Sequence, residues 1–452
     1  MRTFLLAVVL LAFPASAGTQ ELKGTFFPYP MKVTRLPNGL VVTRVPFNSP
    51  GLVAYYTVVR VGSRNEVEKG NTGFAHFFEH VMFKGTKKWP AGSRDALLGK
   101  LGFSENAFTS DDVTVYHVSG PSSELGRVVE VEADRFANLE YGEETFQTEA
   151  KAVLGEYHKN AANPGLKIEE EILNTAFDTH TYKHTTLGFY EDIQAMPSKY
   201  EYSKSFFKRW YTPDNTMVFV VGDFDDAALM KSVEENYGGW KGKVASVEIP
   251  VEPPQKLAKY TTVTWTTPTL PRLGMCWKSP RASLTSGEHA AAEMLQSYLA
   301  GQTSPLYKKL VLEAQLVESL HPDYSGHRDP NLFCIFATLK NESSRETVRT
   351  AMQSAVDSVM RGAVDARRLA AISENLKYGF QMGLETHDAV ALELAYSAGV
   401  LGAPDALEQV KKALSKVGPR DLISFARTYL VPRHLTSMDF VVKLPATDGG
   451  RP

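Results

Sequence analysis

Cysteine is scarce: Cys276 and Cys334 are the only two in 452 residues. Neither belongs to a cysteine-rich zinc motif. Both sit in apolar, strand-like runs, 273–277 and 332–336. The sequence leaves open whether they are bonded or are buried free thiols. Charge of one sign is lacking too. The formal net charge is −2, so nothing asks for nucleic acid or an acidic membrane surface as partner. Long apolar runs are missing. The run at residues 4–13 is far short of the roughly 20 residues that span a bilayer. No glycine-rich phosphate loop occurs, and no Gly-x-Ser-x-Gly elbow of an α/β-hydrolase.

What is present begins at the N-terminus. Met1-Arg2-Thr3, the short apolar run and Ala15-Ser16-Ala17 form the charged, apolar and cleavage regions of a secretory signal peptide over residues 1–17. The expected product is exported, to the periplasm or beyond the cell. The composition, 43% hydrophobic and 22% charged, is that of a globular protein. Pro37-Asn38-Gly39 reads as a hairpin turn between strands at 31–36 and 40–45. Strands are expected at 51–61, 103–109, 113–118 and 216–221. Helices are expected at 73–83, 93–101, 121–139 and 143–160. A proline-bearing stretch at 241–258 without clear period reads as an extended linker. Beyond it come strands at 260–265 and 273–277, and helices at 287–298 and 305–316. Each half closes on the same pattern of helix, tyrosine, proline and apolar strand: Tyr211 and Pro213 in one, Tyr429 and Pro432 in the other. The echo points to two related α+β domains, 18–240 and 259–445, followed by a tail at 446–452.

The chemistry lies in His76-Phe77-Phe78-Glu79-His80. Residues four apart share a helix face, so both imidazoles can reach one metal ion, with Glu79 beside them to take a proton from a bound water. This is the inverted form of the His-Glu-x-x-His zinc peptidase motif. The apolar residues Phe77, Phe78, Val81, Met82 and Phe83 imply a buried helix, in which two histidines and a glutamate need partners. A catalytic zinc takes three protein ligands. Glu149 and Glu156, two turns apart on one helix face, are the leading candidates for the third. His158 should point away from them. The other histidines, His117, His180, His184, His321, His327, His387 and His434, show no ligand spacing. Glu169-Glu170-Glu171 reads as a solvated helix face. In the second half, His289-Ala290-Ala291-Ala292-Glu293 keeps one histidine and lacks the other.

The chain resembles the pitrilysin-type inverzincin metallopeptidases, and among them the shorter bacterial and mitochondrial-processing-peptidase branch. The resemblance rests on Leu36-Pro37-Asn38-Gly39-Leu40, on the run from Gly73 through the histidine motif to Lys84-Gly85-Thr86, and on Asn106-Ala107-Phe108-Thr109-Ser110 with Thr114 and Tyr116. It implies an α+β, mitochondrial-processing-peptidase-like fold of two homologous domains, each a mostly antiparallel sheet backed by helices. It selects Glu156, 76 positions after His80, as third ligand of one Zn²⁺, with Glu149 supporting the ligands from behind and Glu79 as base. It implies that Asn106, Ala107 and Phe108 hold an extended peptide by strand addition. Family members often add an Arg and a Tyr that clamp the substrate, after a loop matched here by Gly301-Gln302-Thr303-Ser304-Pro305-Leu306-Tyr307. The two clamp positions fall on Val311 and Glu318. Lys308, Lys309 and Tyr324 are near but out of register. The expectation is a zinc endopeptidase subunit in a heterodimer whose partner supplies the clamp; a homodimer is the other arrangement. The competing reading is a non-catalytic assembly or peptide-binding subunit of the same fold.

Overall fold

The computed structural model describes residues 18–443. The signal peptide expected at 1–17 and the tail at 446–452 lie outside the described residues. The first sheet contains β1 (Thr19–Leu22), β2 (Met31–Arg35), β3 (Val41–Pro46), β4 (Leu52–Val59), β5 (Ser104–Thr109), β6 (Thr114–Pro121) and β7 (Thr216–Gly222), in the order β1-β2-β3-β7-β4-β6-β5. The second contains β8 (Lys259–Trp265), β9 (Arg272–Lys278), β10 (Val317–Asp323), β11 (Leu332–Leu339) and β12 (Leu435–Val442), in the order β10-β11-β9-β12-β8.

The second order repeats the first. β8, β12, β9, β11 and β10 occupy the places of β3, β7, β4, β6 and β5. The β3–β7 and β8–β12 pairs are parallel, and the rest are antiparallel. The fold is α+β, two sheet-and-helix units, as expected.

The first half carries helices α1 (Phe74–Val81), α2 (Ser93–Lys100), α3 (Leu125–Asn138), α4 (Glu143–Ala161), α5 (Pro164–Ala176), α6 (Tyr190–Ala195), α7 (Tyr200–Trp210) and α8 (Asp226–Tyr237). The second carries α9 (Gly287–Ala300), α10 (Pro305–Tyr307), α11 (Arg345–Met360), α12 (Ala366–Met382), α13 (His387–Leu401), α14 (Ala406–Leu414) and α15 (Pro419–Tyr429). The closing echo is structural. In each half a helix, α7 or α15, runs through a 3-10 turn, Pro213–Asn215 or Pro432–His434, into an interior strand, β7 or β12. The helix expected over 305–316 is cut short. After α10 the chain widens into a π-helical turn, Lys308–Glu313, and Gln315 takes φ +49° before β10 begins.

The sheets are covered reciprocally. β7 is an unbroken apolar run because it is buried on both faces. Val218 and Val220 face the core of the first half, while Met217, Phe219 and Val221 face Leu394, Ala395 and Ala398 on α13. That helix belongs to the second half. In exchange α5, from the first half, lays Ile168, Ile172 and Ala176 against Val263, Met438 and Phe440 of the second sheet. Cys276 and Cys334 stand opposite each other on β9 and β11 beneath α5, and are bonded, with sulfurs 2.11 Å apart. Residues 241–258 contain no helix or strand. The stretch is nonetheless pinned. The Glu252 carboxylate accepts the backbone N–H groups of Asp178, Thr179 and His180 at 2.8, 3.0 and 3.0 Å. Among the described residues no helix is long and apolar enough to cross a membrane.

Candidate metal centre

An isolated eight-residue helix does not hold in water, so α1 depends on its surroundings. Phe74, Phe77, Phe78 and Val81 are fully buried. Phe77 meets Phe146 of α4 at 5.0 Å between ring centres, and Phe78 stacks on Phe206 of α7 at 5.6 Å. The orphan N–H groups at its start find Glu66, whose carboxylate accepts from Gly73 at 2.8 Å and Ala75 at 2.7 Å. Burial pushes the Glu66 carboxyl up to about 8, against the pull of those N–H groups. Gly73 turns the chain at φ +90°, and a Cβ there would lie 2.6 Å from the Leu187 carbonyl oxygen. At the other end the Tyr116 hydroxyl donates to the Phe78 carbonyl at 3.1 Å.

With the apolar face so fixed, His76, Glu79 and His80 project from the opposite side. Glu156 comes from α4, anchored by buried Phe146, Ala150 and Val153. Its Oε2 lies 3.7 Å from His76 Nε2 and 3.3 Å from His80 Nε2. The donor atoms of all three lie within 4.8 Å of one another. Zinc bonds of roughly 2.0–2.1 Å in a tetrahedron separate donors by about 3.4 Å, so small side-chain adjustments suffice. Among the described residues no other such group converges. Among the described residues His76 Nδ1 is buried without a hydrogen-bond partner, which leaves Nε2, the atom facing Glu156, to satisfy the ring. Burial, then neighbouring His80, pushes the His76 pKa down to about 4. The ring is therefore neutral near pH 7, with a lone pair to give. Two imidazoles and one carboxylate make the donor set of a catalytic zinc site, and the residues fit such an ion.

Glu79 is half-buried, and the Thr109 hydroxyl donates to its Oε2 at 2.7 Å. Burial raises its pKa, partly offset by Thr109 and His80. Glu149 is buried, and its Oε1 pairs with Lys84 Nζ at 2.8 Å. Among the described residues no ion pair joins it to His76 or His80. It therefore ties α4 to the segment just after α1. His158 lies against Tyr190, on another side of α4. Of Glu169-Glu170-Glu171, two members are not simply solvated: Glu170 accepts from Tyr157 and Glu171 from Thr261, both at 2.7 Å.

Asn106, Ala107 and Phe108 lie on β5, an edge of the first sheet. Asn106 is exposed and its Oδ1 accepts the Ala107 N–H at 2.9 Å. An edge strand presents unpaired backbone groups to an incoming chain. Behind it Glu105 joins a buried charge group, with Arg94 bridging Glu105 and Glu132, and Glu132 pairing Arg135. Arg135 in turn lies over the rings of Phe83, Tyr116 and Phe136 at 5.2, 5.0 and 5.2 Å. Glu66, Lys84, Thr109 and this charge group escaped sequence reasoning as supports of the site. In the sequence Thr109 stands out only as part of a strand motif.

Neither position at which the resemblance implies a clamp carries an Arg or a Tyr. Val311 packs into the second core, and Glu318 is exposed on β10. Lys308 pairs loosely with Glu313 at 3.6 Å. Tyr324 is buried, its hydroxyl 2.9 Å from His289 Nδ1. His289 sits at the third position of α9, as His76 does in α1, and with Tyr324 as its partner.

Residues 52–188 match the model of the insulinase family, peptidase family M16, and residues 199–376 match the M16 inactive domain. The zinc protease PqqE of Helicobacter pylori is 28% identical over 391 residues, covering 85% of this chain and 86% of that one. The mitochondrial-processing peptidase subunit beta of Blastocladiella emersonii is 26% identical over 443 residues, 93% of this chain and 91% of its own. A protease from Helicobacter pylori of known structure superposes with a TM-score of 0.83 at 25% identity, over 95% of this chain and 100% of that one.

Proposed function

The chain belongs to the insulinase family of peptidases, M16, and on that premise we propose that it is a zinc-dependent endopeptidase acting on extended or unfolded peptides. The observation that carries the reading is the meeting of His76, His80 and Glu156 with Glu79 beside them. In this reading those three residues hold one Zn²⁺ per chain. When bound, the ion lowers the pKa of a coordinated water toward about 7 and polarises a peptide carbonyl. Glu79 takes the proton on Oε1, because Thr109 engages Oε2, and returns it to the leaving amine. Glu149, held by Lys84, keeps α4 in register with α1 and so sets the approach of Glu156 to the histidines. The open side of β5 at Asn106, Ala107 and Phe108 accepts a peptide as a further strand, reading backbone more than side chains.

Val311 and Glu318 stand where a substrate clamp is expected, which supports a heterodimer with a homologous subunit that supplies Arg and Tyr. The similarity to a chain named as subunit beta of a processing peptidase agrees. The same two positions favour the competing reading, an assembly or peptide-capturing subunit without turnover. The complete set of His76, Glu79, His80 and Glu156 weighs against it. We further propose units at 18–240 and 259–445 joined by 241–258, and export to the periplasm.

Zinc analysis and a fluorogenic unfolded peptide test the whole reading. The protein is expected to hold one zinc and to cleave. Glu79→Gln should keep the zinc and lose about 10²–10⁴-fold in turnover. Wild-type turnover in that variant rejects the base. Peptide binding without cleavage, alone and with a homologous subunit, selects the capture reading. Full activity alone, unchanged by such a subunit, rejects the heterodimer.

A further inference from the structure

The turn between β5 and β6, residues 110–113, is where the two halves meet beside the site. Thr109, the donor to Glu79, is the last residue of β5 and pairs with Thr114 of β6. The acidic residues that follow are held from two directions. From the first half, Ser63 Oγ donates to Asp111 Oδ1 at 3.0 Å and the Tyr182 hydroxyl donates to Asp112 Oδ1 at 2.7 Å. From the second half comes the loop between β10 and β11. The Arg328 backbone N–H donates to Asp112 Oδ2 at 3.0 Å. His327 Nδ1 lies 3.4 Å from that oxygen and 3.5 Å from Asp111 Oδ2.

The loop is itself braced. Arg328 Nη1 donates to the Arg60 carbonyl at 3.1 Å. Asp329 Oδ2 accepts from Arg64 Nε at 2.6 Å and lies 3.0 Å from His180 Nε2. Asp112 is 2% exposed. Burial alone would raise its pKa, yet the contacts from His327, Tyr182 and Arg328 bring it below the usual value. The opposite holds for His327, where burial is outweighed by Asp112 and Asp111 and the pKa rises. The two shifts run in the sense that favours a charged imidazole–carboxylate pair, set in a buried hydrogen-bond network.

We propose that His327 and the Arg328 backbone, both within the segment that matches the inactive-domain model, are positioning residues for Glu79: they hold Asp111 and Asp112 and, through the turn, fix Thr109 against the glutamate. The proposal rests on the reading of Glu79 as base. Neither residue touches the reacting atoms. A misplacement of about 1 Å at such a distance from the chemistry costs on the order of 10²-fold in rate.

His327→Ala tests it, with His327→Gln as second variant should the first not fold. The expected result is unchanged zinc content, kcat lower by roughly tenfold to a hundredfold, and KM within about twofold, as an alignment defect rather than lost binding requires. His327→Arg, which restores a cationic donor, should recover part of kcat. Hydrogen exchange supplies a readout independent of activity. Amides of residues 107–114 should exchange at least about tenfold faster, while those of α1 and α4 keep their rates. Unchanged exchange at 107–114, or an unchanged kcat, overturns the proposal. A wild-type protein that cleaves nothing overturns the reading of Glu79 instead, and the exchange result still decides whether the loop holds the turn.

Discussion

Glu79 lies between opposing influences. Burial raises its pKa, and the hydrogen bond from Thr109 lowers it. A base must be ionised, so a change in what the carboxylate is bonded to should show in the acid limb of kcat/KM. Thr109→Val removes a group that favours the carboxylate, so the limb should move to higher pH, with the plateau reached later. A pH–rate profile measures this, and an unmoved limb separates Thr109 from the base. At this scale the sequence was legible where a period or a spacing carried the information. Helical geometry placed His76 and His80 on one face, and family spacing chose Glu156 over Glu149. Glu66, Lys84 and Thr109 were not legible as supports, because each meets its partner from another element. Glu66 is 7 and 9 positions from the N–H groups it caps, and Thr109 is 30 from Glu79. No local period encodes such pairings. The pairing of His327 with the acidic turn is farther still from any sequence signal.

Elements were legible in their kind more than in their neighbours. The hairpin around Gly39, the strands flanking the acidic turn and the long helix α4 fall where alternation and helical period place them. The π-turn after α10 did not announce itself, since its residues read as an ordinary helix. The larger gap concerns α5 and α13. An amphipathic period says which face of a helix is buried and not which sheet it meets, so the crossing of each to the other half could not be read. The cysteines show the same limit. Their strand-like runs were evident, but their register across β9 and β11 was not. The bond closes a sequence separation of 58 residues, for which loop entropy alone gives about 4 kcal/mol. Replacing both by serine should lower the unfolding free energy in denaturant by about 2–4 kcal/mol. Reductant should lower the wild type by a similar amount, and equal stability with and without the bond would deny it that role.

The whole molecule is a repeat whose halves depend on each other. Without α13 the first sheet would expose Phe219 and Val221 on β7. Without α5 the second would expose Val263, Met438 and Phe440. Fragments 18–240 and 259–443 made separately are therefore expected to aggregate or to lack fixed tertiary structure, and to recover a one-to-one complex when made together. Gel filtration and near-ultraviolet circular dichroism distinguish this from two independently folded monomers, which would refute the dependence. The pinned linker carries a consequence of a different sort. An enzyme that reads extended backbone, as proposed, has an extended segment of its own at 241–258, present at the highest local concentration of any. Glu252 holds that segment down by three backbone N–H groups of the neighbouring turn. Prolines 250, 253 and 254 deny it the donors a strand needs. To be cut, the linker would have to be lifted from its anchor and then pair with β5 while lacking those N–H groups. If the chain is the peptidase proposed, Glu252 and those prolines together make its own linker a poor substrate.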